Sequence, residues 1–242
     1  MNSSICFICA ALIAIQIIFV PIYLKKMWPT KNWKSLGYKM ICATSYLLLA
    51  LTAVITDGSF DGYSCMMFIG FILSWFGDLM LHIPRPTKKF FVIGMIFFMA
   101  AHIFYCLGYI EIQKNMFSSL PVFAPWEFIT AAVLVAIYFA VCGIKKVNFG
   151  EMLIPSIIYA LFVTLMMVKS FSVAIQLISG SESHSVTTAL LLLVGGISFV
   201  MSDGSLALIS FDTKYKKFRL KVFNIVTYFI AQTCLALTIF IF

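Results

Sequence analysis

Two aspartates stand inside stretches otherwise built mainly from Phe, Ile, Leu, Met and Val. Asp78 lies in LSWFGDLMLH (Leu73 to His82), and Asp203 lies in FVMSDGS (Phe199 to Ser205). An ionised Asp at the centre of a membrane helix costs about 2.5–3.5 kcal/mol on insertion scales, and such carboxylates are functional by default. Two carboxylates in a partly dry cavity suit general acid–base work. Burial and a like-charged neighbour let one keep its proton, while the other stays ionised and activates water or supports a developing cation. Glycosidases divide the labour this way on acetals.

Both aspartates have polar company at helical spacing. Ser74, Asp78 and His82 recur at i, i+4 and i+8, and so share a face. Gly196, Phe199 and Asp203 share another, with Ser202 beside them. His102, Tyr105 and Tyr109 form a third stripe, and Asn224, Tyr228 and Gln232 a fourth. Polar stripes on membrane helices point inward, to a cavity or to one another. An Asn–Tyr–Gln stripe by itself is ordinary interhelical hydrogen bonding. His82 lies near Pro84 and a basic loop, where an interfacial role competes with a catalytic one. His184 reads as a solvated loop residue. Gly77, Gly94, Gly195 and Gly196 read as close-packing positions, and Ser74 is placed one turn back to hydrogen-bond the Asp78 carboxyl.

The elements that must position these residues follow from composition. The chain has 242 residues, 62% hydrophobic and only 11% charged. A soluble domain is about half apolar and a quarter charged, so this chain belongs in a bilayer. Hydropathy gives eight spans, at 5–24, 36–55, 63–83, 89–110, 126–144, 150–172, 186–209 and 219–242. Each is near the roughly 20 residues a helix needs to cross the hydrocarbon. The expected fold is an all-α polytopic bundle, a single integral-membrane domain over 1–242. In the sixth span Pro155 predicts a kink, and Lys169 is expected to snorkel to the interface. On this reading Asp78 and Asp203 lie at similar depth in the third and seventh spans, placed to face each other.

Loop charges test the count. The first loop and its flank hold Lys25, Lys26, Lys31, Lys34 and Lys39; the third, Arg85, Lys88 and Lys89; the fifth, Lys145 and Lys146; the seventh, Lys214, Lys216, Lys217, Arg219 and Lys221. Fifteen of the 17 basic residues thus fall on odd-numbered loops. The even loops hold Asp57 and Asp61, then Glu111 with Lys114, then Glu182. The positive-inside rule puts the odd loops in the cytosol and both termini on the other side. No basic residue precedes the first span, so it reads as a retained helix rather than a cleaved signal peptide. Trp28, Trp33 and Trp126 fit an interfacial belt. The net charge of +8 is therefore topological. Its partner is the lipid bilayer, not nucleic acid. The seven cysteines read as small apolar fillers.

Spacing excludes several chemistries. Intramembrane aspartyl proteases use G-x-G-D on the later helix and Y-D on the earlier one; here the aspartates stand in VMSDGS and SWFGD, and the P-A-L signature is absent. Clustered His or Cys ligands for zinc are missing, so no metal is expected. No G-x-S-x-G elbow is present. A proton-coupled transporter of a small or lipid-like solute would use the same residue types and stays open as the alternative. Asp78 and Asp203 are each followed by a basic loop and a polar-striped helix, a weak echo between the chain's halves.

Four motifs in order resemble the YhhN-type lysoplasmalogenases, a family of eight-span membrane proteins. They are SWFGDLML, GMIFFMAAHIFY, GGISFVMSDGSLAL and TYFIAQ. The matching positions are Gly77, Asp78 and Leu81; Gly94, Phe98, Ala101, His102 and Tyr105; Phe199, Ser202 and Asp203; and Tyr228 and Gln232. Lys39, in YKMICATSYL, matches a family lysine at the start of the second span. Gly204 departs from a common serine and Phe229 from a frequent second tyrosine; neither removes an acid or base.

The resemblance implies a hydrolase that cleaves the vinyl ether bond of lysoplasmalogens to a fatty aldehyde and a glycerophosphoethanolamine or glycerophosphocholine. It implies a reaction that needs no cofactor, with Asp78 and Asp203 as acid and base and no assignment of which is which. Ser74, His102, Tyr105, Ser202, Asn224, Tyr228 and Gln232 would bind or orient substrate, water and the carboxyls, and Lys39 would bind the phosphate. The substrate is a single-chain lysophospholipid entering from the leaflet. The membrane would be the endoplasmic reticulum in a eukaryote, or the plasma or inner membrane in a bacterium.

Overall fold

A computed structural model describes residues 3–57, 62–84, 87–116, 121–179 and 185–242. Among these residues the chain is helical, with no strand. The long helices are α1 Ser3–Met27, α2 Trp33–Asp57, α3 Gly62–His82, α4 Lys88–Met116, α5 Pro125–Ile144, α6 Leu153–Ser179, α7 Ser185–Phe211 and α8 Phe218–Thr238, with 3₁₀ turns before α6 and α8. All eight are long and apolar enough to cross a membrane, which meets the sequence expectation for the fold class. Phe7, Ile17, Ile129 and Ile154 are exposed, as lipid-facing side chains are. His184, Glu182, Arg85 and Asp61 lie outside the described residues.

The chain divides into two compact units. The first comprises Met1–Gly108 with Gln232–Phe242, and the second Tyr109–Ala231.

In the first unit α1 packs on α2 and α2 on α3. Asn32 caps α2: its Oδ1 accepts from the Ser35 amide at 2.8 Å, and Ser35 Oγ accepts from the Asn32 amide at 3.0 Å. That reciprocal pair satisfies orphan donors at the helix start. From there α2 and α3 run antiparallel in one register, with Ser35 against His82, Lys39 against Asp78, and Tyr46 against Phe71. The α3–α4 pair is also antiparallel, and four of its contacts set a glycine against a bulky side chain. Met67 meets Gly108, Tyr105 lies over Gly70, Phe98 over Gly77, and Leu81 over Gly94. A Cβ at Gly77 would stand 2.7 Å from the Phe98 ring, and one at Gly94 2.6 Å from Leu81 Cδ2. The absence of a side chain at Gly77 and Gly94 therefore lets the motif residues Phe98 and Leu81 interlock the two helices.

In the second unit α5 packs on α6 and α6 on α7. Pro125 opens α5, and Glu127 Oε2 accepts from the Ala124 amide at 2.9 Å. Gly196 of α7 sits against Ser170 and Met167 of α6. The Lys214 ammonium donates to the Lys145 carbonyl, so the segments that follow α5 and α7 meet.

Three expectations are corrected, at Lys169, Lys221 and Ser74. Lys169 does not snorkel; it is fully buried, 3.2 Å from Glu127 Oε1, and also donates to Gln113 Oε1 and the Val122 carbonyl. Three N–H bonds meet three acceptors, so its charge is satisfied inside the protein. Pro155 falls in the first turn of α6, which begins at Leu153 directly after the 3₁₀ turn Gly150–Met152, where an α-helix loses no intrahelical donor. Lys221 is not a loop charge; it lies within α8 and is buried, at 7% exposure. Lys39 lies within α2, as expected at the start of the second span, and is buried, at 4% exposure. Ser74 does not bond the Asp78 carboxyl; its hydroxyl lies 3.1 Å from Tyr105 Oη.

Candidate functional site

The Ser74, Asp78, His82 stripe forms as spacing predicts, and all three side chains are buried. Asp78 sits one turn before the end of α3. Lys39 Nζ lies 2.9 Å from Asp78 Oδ1, with both side chains almost wholly buried. Tyr46 Oη donates to Asp78 Oδ2 at 3.1 Å. A carboxylate taken out of water needs such an ion pair and a filled second oxygen. An Asp held this way is suited to accept a proton or to stand beside a developing cation.

One turn further along, both ring nitrogens of His82 are engaged, Nε2 with Ser35 Oγ at 3.0 Å and Nδ1 with Tyr23 Oη at 3.2 Å. The face of the Tyr23 ring lies 5.7 Å from Lys39 Nζ. Tyr23, Ser35 and Tyr46 did not emerge from the polar residues of the motif helices. For Ser35 and Tyr46 the signal was the spacing on α2, where Ser35, Lys39, Cys42 and Tyr46 recur at i, i+4, i+7 and i+11 and all are buried; Tyr23, on α1, had none.

A second group in this unit joins three more expected residues. Tyr105 Oη donates to Gln232 Oε1 at 3.1 Å, which leaves Ser74 Oγ as the donor to Tyr105. The Tyr105 ring packs edge-on against Phe71, and His102, fully buried, lies 6.3 Å from it centroid to centroid. The first unit thus holds Lys39, Ser74, Asp78, His102, Tyr105 and Gln232.

The second unit holds Ser202, Asp203, Asn224 and Tyr228. Asp203 is half-buried on α7, and Tyr159 of α6 donates to its Oδ2 at 2.6 Å. Ser202 and Asn224 tie α7 to α8 reciprocally. Ser202 Oγ donates to the Asn224 carbonyl at 3.0 Å, and Asn224 Nδ2 donates to the Ser202 carbonyl at 2.9 Å. Lys221 Nζ reaches Asn224 Oδ1 at 2.8 Å. Beyond Asp203, Tyr138 Oη donates to the Gly204 carbonyl at 2.8 Å. The Tyr228 ring meets Phe199 edge to face, at 5.8 Å. Ser202 and Asn224 therefore act on this helix pair, fixing the backbone that presents Asp203. Tyr159 and Tyr138 lie on the fifth and sixth spans, which carry none of the motifs, and no sequence pattern singled them out.

Comparison with known proteins bears on this arrangement directly. The model of the YhhN family matches residues 38–239. The chain belongs to the YhhN family. The matched segment begins one residue before Lys39 and runs through all ten expected site residues. Searches of curated proteins and of solved structures returned no match.

Proposed function

We propose that this YhhN-family protein is a lysoplasmalogenase, hydrolysing the vinyl ether bond of an alkenyl glycerophosphoethanolamine or glycerophosphocholine. The observation that carries the reading is the buried Asp78 carboxylate, paired with Lys39 and bonded by Tyr46 on a helix that bears the family motif. A buried, oriented carboxylate on a membrane helix is a group for chemistry on an amphiphile.

The reaction divides into steps of defined demand. A proton adds to the second carbon of the alkenyl chain, and the first carbon becomes an oxocarbenium ion. Water attacks that carbon and loses a proton to a base. The hemiacetal then breaks its bond to the glycerol oxygen, which takes up a proton, while the hydroxyl loses one to give the aldehyde. One water is consumed and no electrons are transferred. Asp78, already an ion-pair partner, suits the base and the support of the cation. The donor role then goes to Asp203, on the strength of its motif. Lys39 is committed to Asp78, so its place in this reading shifts from binding phosphate to holding the base. The odd-numbered loops, on this reading, face the cytosol.

The test is release of fatty aldehyde from an alkenyl lysophospholipid by the purified protein. Asp78→Asn and Asp203→Asn should each abolish it in protein that still elutes as a folded species. Full activity in either variant overturns its assigned role. Substrate-dependent proton flux in liposomes without aldehyde would replace the hydrolase reading with a transporter.

A further inference from the structure

Lys39 and Asp78 are one rung of a ladder, and the second rung gives the first its support. Ser35 and Lys39 stand one turn apart on α2, and His82 and Asp78 stand one turn apart on α3. Ser35 pairs with His82 as Lys39 pairs with Asp78. Tyr23 of α1 touches both rungs, through its hydroxyl on His82 Nδ1 and its ring face toward Lys39. All five side chains are buried.

Proton inventory fixes the direction of this chain. Ser35 Oγ lies 2.7 Å from the Asn32 carbonyl, which can only accept, so the one hydroxyl proton of Ser35 goes there. Its two lone pairs face the Asn32 amide and His82 Nε2. Nε2 must then carry the imidazole proton and donate. In the neutral ring Nδ1 is left as an acceptor, and the Tyr23 phenol donates to it. The helix cap of α2 thereby sets the tautomer of His82, and that tautomer sets the phenol. Held by its hydroxyl, Tyr23 keeps its π face 5.7 Å from the Lys39 ammonium, within cation–π reach.

We propose that Tyr23 and His82 are positioning residues, which hold the Lys39 ammonium on the Asp78 carboxylate through the face of the Tyr23 ring. The inference rests on the proposed role of Asp78 for its kinetic consequence alone; the arrangement itself is read from side-chain geometry. An ammonium on a flexible four-carbon stem has many conformers, and a fixed aromatic face beneath it removes most of them.

The experiment uses the full-length protein in lipid nanodiscs. Nitrogen NMR of ¹⁵N-histidine-labelled protein, with His82 assigned by loss of its signal in His82→Gln, should show the tautomer protonated on Nε2. A tautomer protonated on Nδ1 overturns the chain. The ¹⁵N-lysine ammonium signal of Lys39, assigned by Lys39→Met, should be protected from exchange in the wild type and lost in Tyr23→Leu. Persistence of that signal in Tyr23→Leu overturns the positioning role, and this result holds even if no aldehyde is ever detected. Given activity, Tyr23→Leu should lower kcat about tenfold with KM little changed, and Tyr23→Phe, which keeps the ring, should fall between. His82→Asn, which offers an acceptor near the place of Nδ1, should retain more activity than His82→Phe. Equal losses in His82→Asn and His82→Phe, matched by equal losses of folded protein, would reduce both residues to packing and overturn the proposal.

Discussion

Lys39 Nζ and Asp78 Oδ1 lie 2.9 Å apart, each side chain nearly sealed from its surroundings. Neither charge is tolerable alone at that depth. Removing one partner leaves the other unpaired, a loss of about 3–5 kcal/mol for a buried pair. Lys39→Met and Asp78→Asn should therefore both lower the melting temperature in detergent. The double variant Lys39→Met/Asp78→Leu should melt closer to the wild type than Lys39→Met alone, because no charge is left to strand. It should also release no aldehyde. Recovery of activity with the double variant would show that the pair serves the fold only.

Glycine positions give a contrast of sign. A Cβ at Gly77 would stand 2.7 Å from the Phe98 ring, whereas one at Gly37 meets nothing within 4 Å. Gly77→Ala should destabilise by about 1–3 kcal/mol through overpacking, and Phe98→Leu in the same chain should restore part of the loss. Gly37→Ala, in a helix with room for it, should be neutral or stabilising by up to about 1 kcal/mol. Thermal melts of the four proteins decide this, and equal melting of Gly77→Ala and Gly37→Ala would refute the interlock.

The sequence made the helices and their polar stripes legible because lipid enforces both. A span must be about 20 apolar residues long, and a polar residue within it must turn inward. Ser74, Asp78 and His82 could be grouped for that reason. The partners were harder to read. Tyr23, Tyr46 and Tyr159 look like ordinary amphipathic aromatics in a chain with 10 tyrosines, and only a register between helices selects them. The α2–α3 register depends on the Asn32 cap and on which residues oppose across the pair, and neither is a composition signal. Lys169 was misread because the rule that lysine snorkels assumes no acceptor nearby, and Glu127 lies 42 positions away in the chain. The same assumption puts Lys221 among the loop charges: near a span's end, a lysine belongs to the loop only if nothing within the helices claims it.

Lys169 and Lys114 separate buried from exposed ion pairs within one unit. Lys169 pairs with Glu127 with essentially no exposure, and Lys114 pairs with Glu111 at 2.9 Å with half its side chain exposed. Lys169→Met should cost about 3–5 kcal/mol, and Lys114→Met no more than about 0.5 kcal/mol. The first variant should also loosen the segment after Pro121, since Lys169 holds the Val122 carbonyl and Gln113 holds that of Pro121 at 2.9 Å. Limited proteolysis near Phe123, run alongside melting curves, checks both effects. A Lys169→Met protein as stable as Lys114→Met would contradict the buried cluster.

Tyr159 and Tyr46 each donate to an oxygen of an aspartate, at 2.6 Å on Asp203 and 3.1 Å on Asp78. Phenylalanine at either position keeps the ring and deletes one hydrogen bond. A bond to a carboxylate contributes about 1.5–3 kcal/mol, which corresponds to roughly ten- to a hundredfold in rate if it orients a reacting group. Tyr159→Phe should show the larger loss, because its bond is the shorter and Asp78 still holds Lys39 when Tyr46 is changed. The measurement is kcat for aldehyde release from an alkenyl lysophospholipid, with melting temperature as the control for folding. Unchanged kcat in both variants would mean that neither phenol aims a catalytic carboxyl. A greater loss in Tyr46→Phe than in Tyr159→Phe would move the burden of orientation from Asp203 to Asp78.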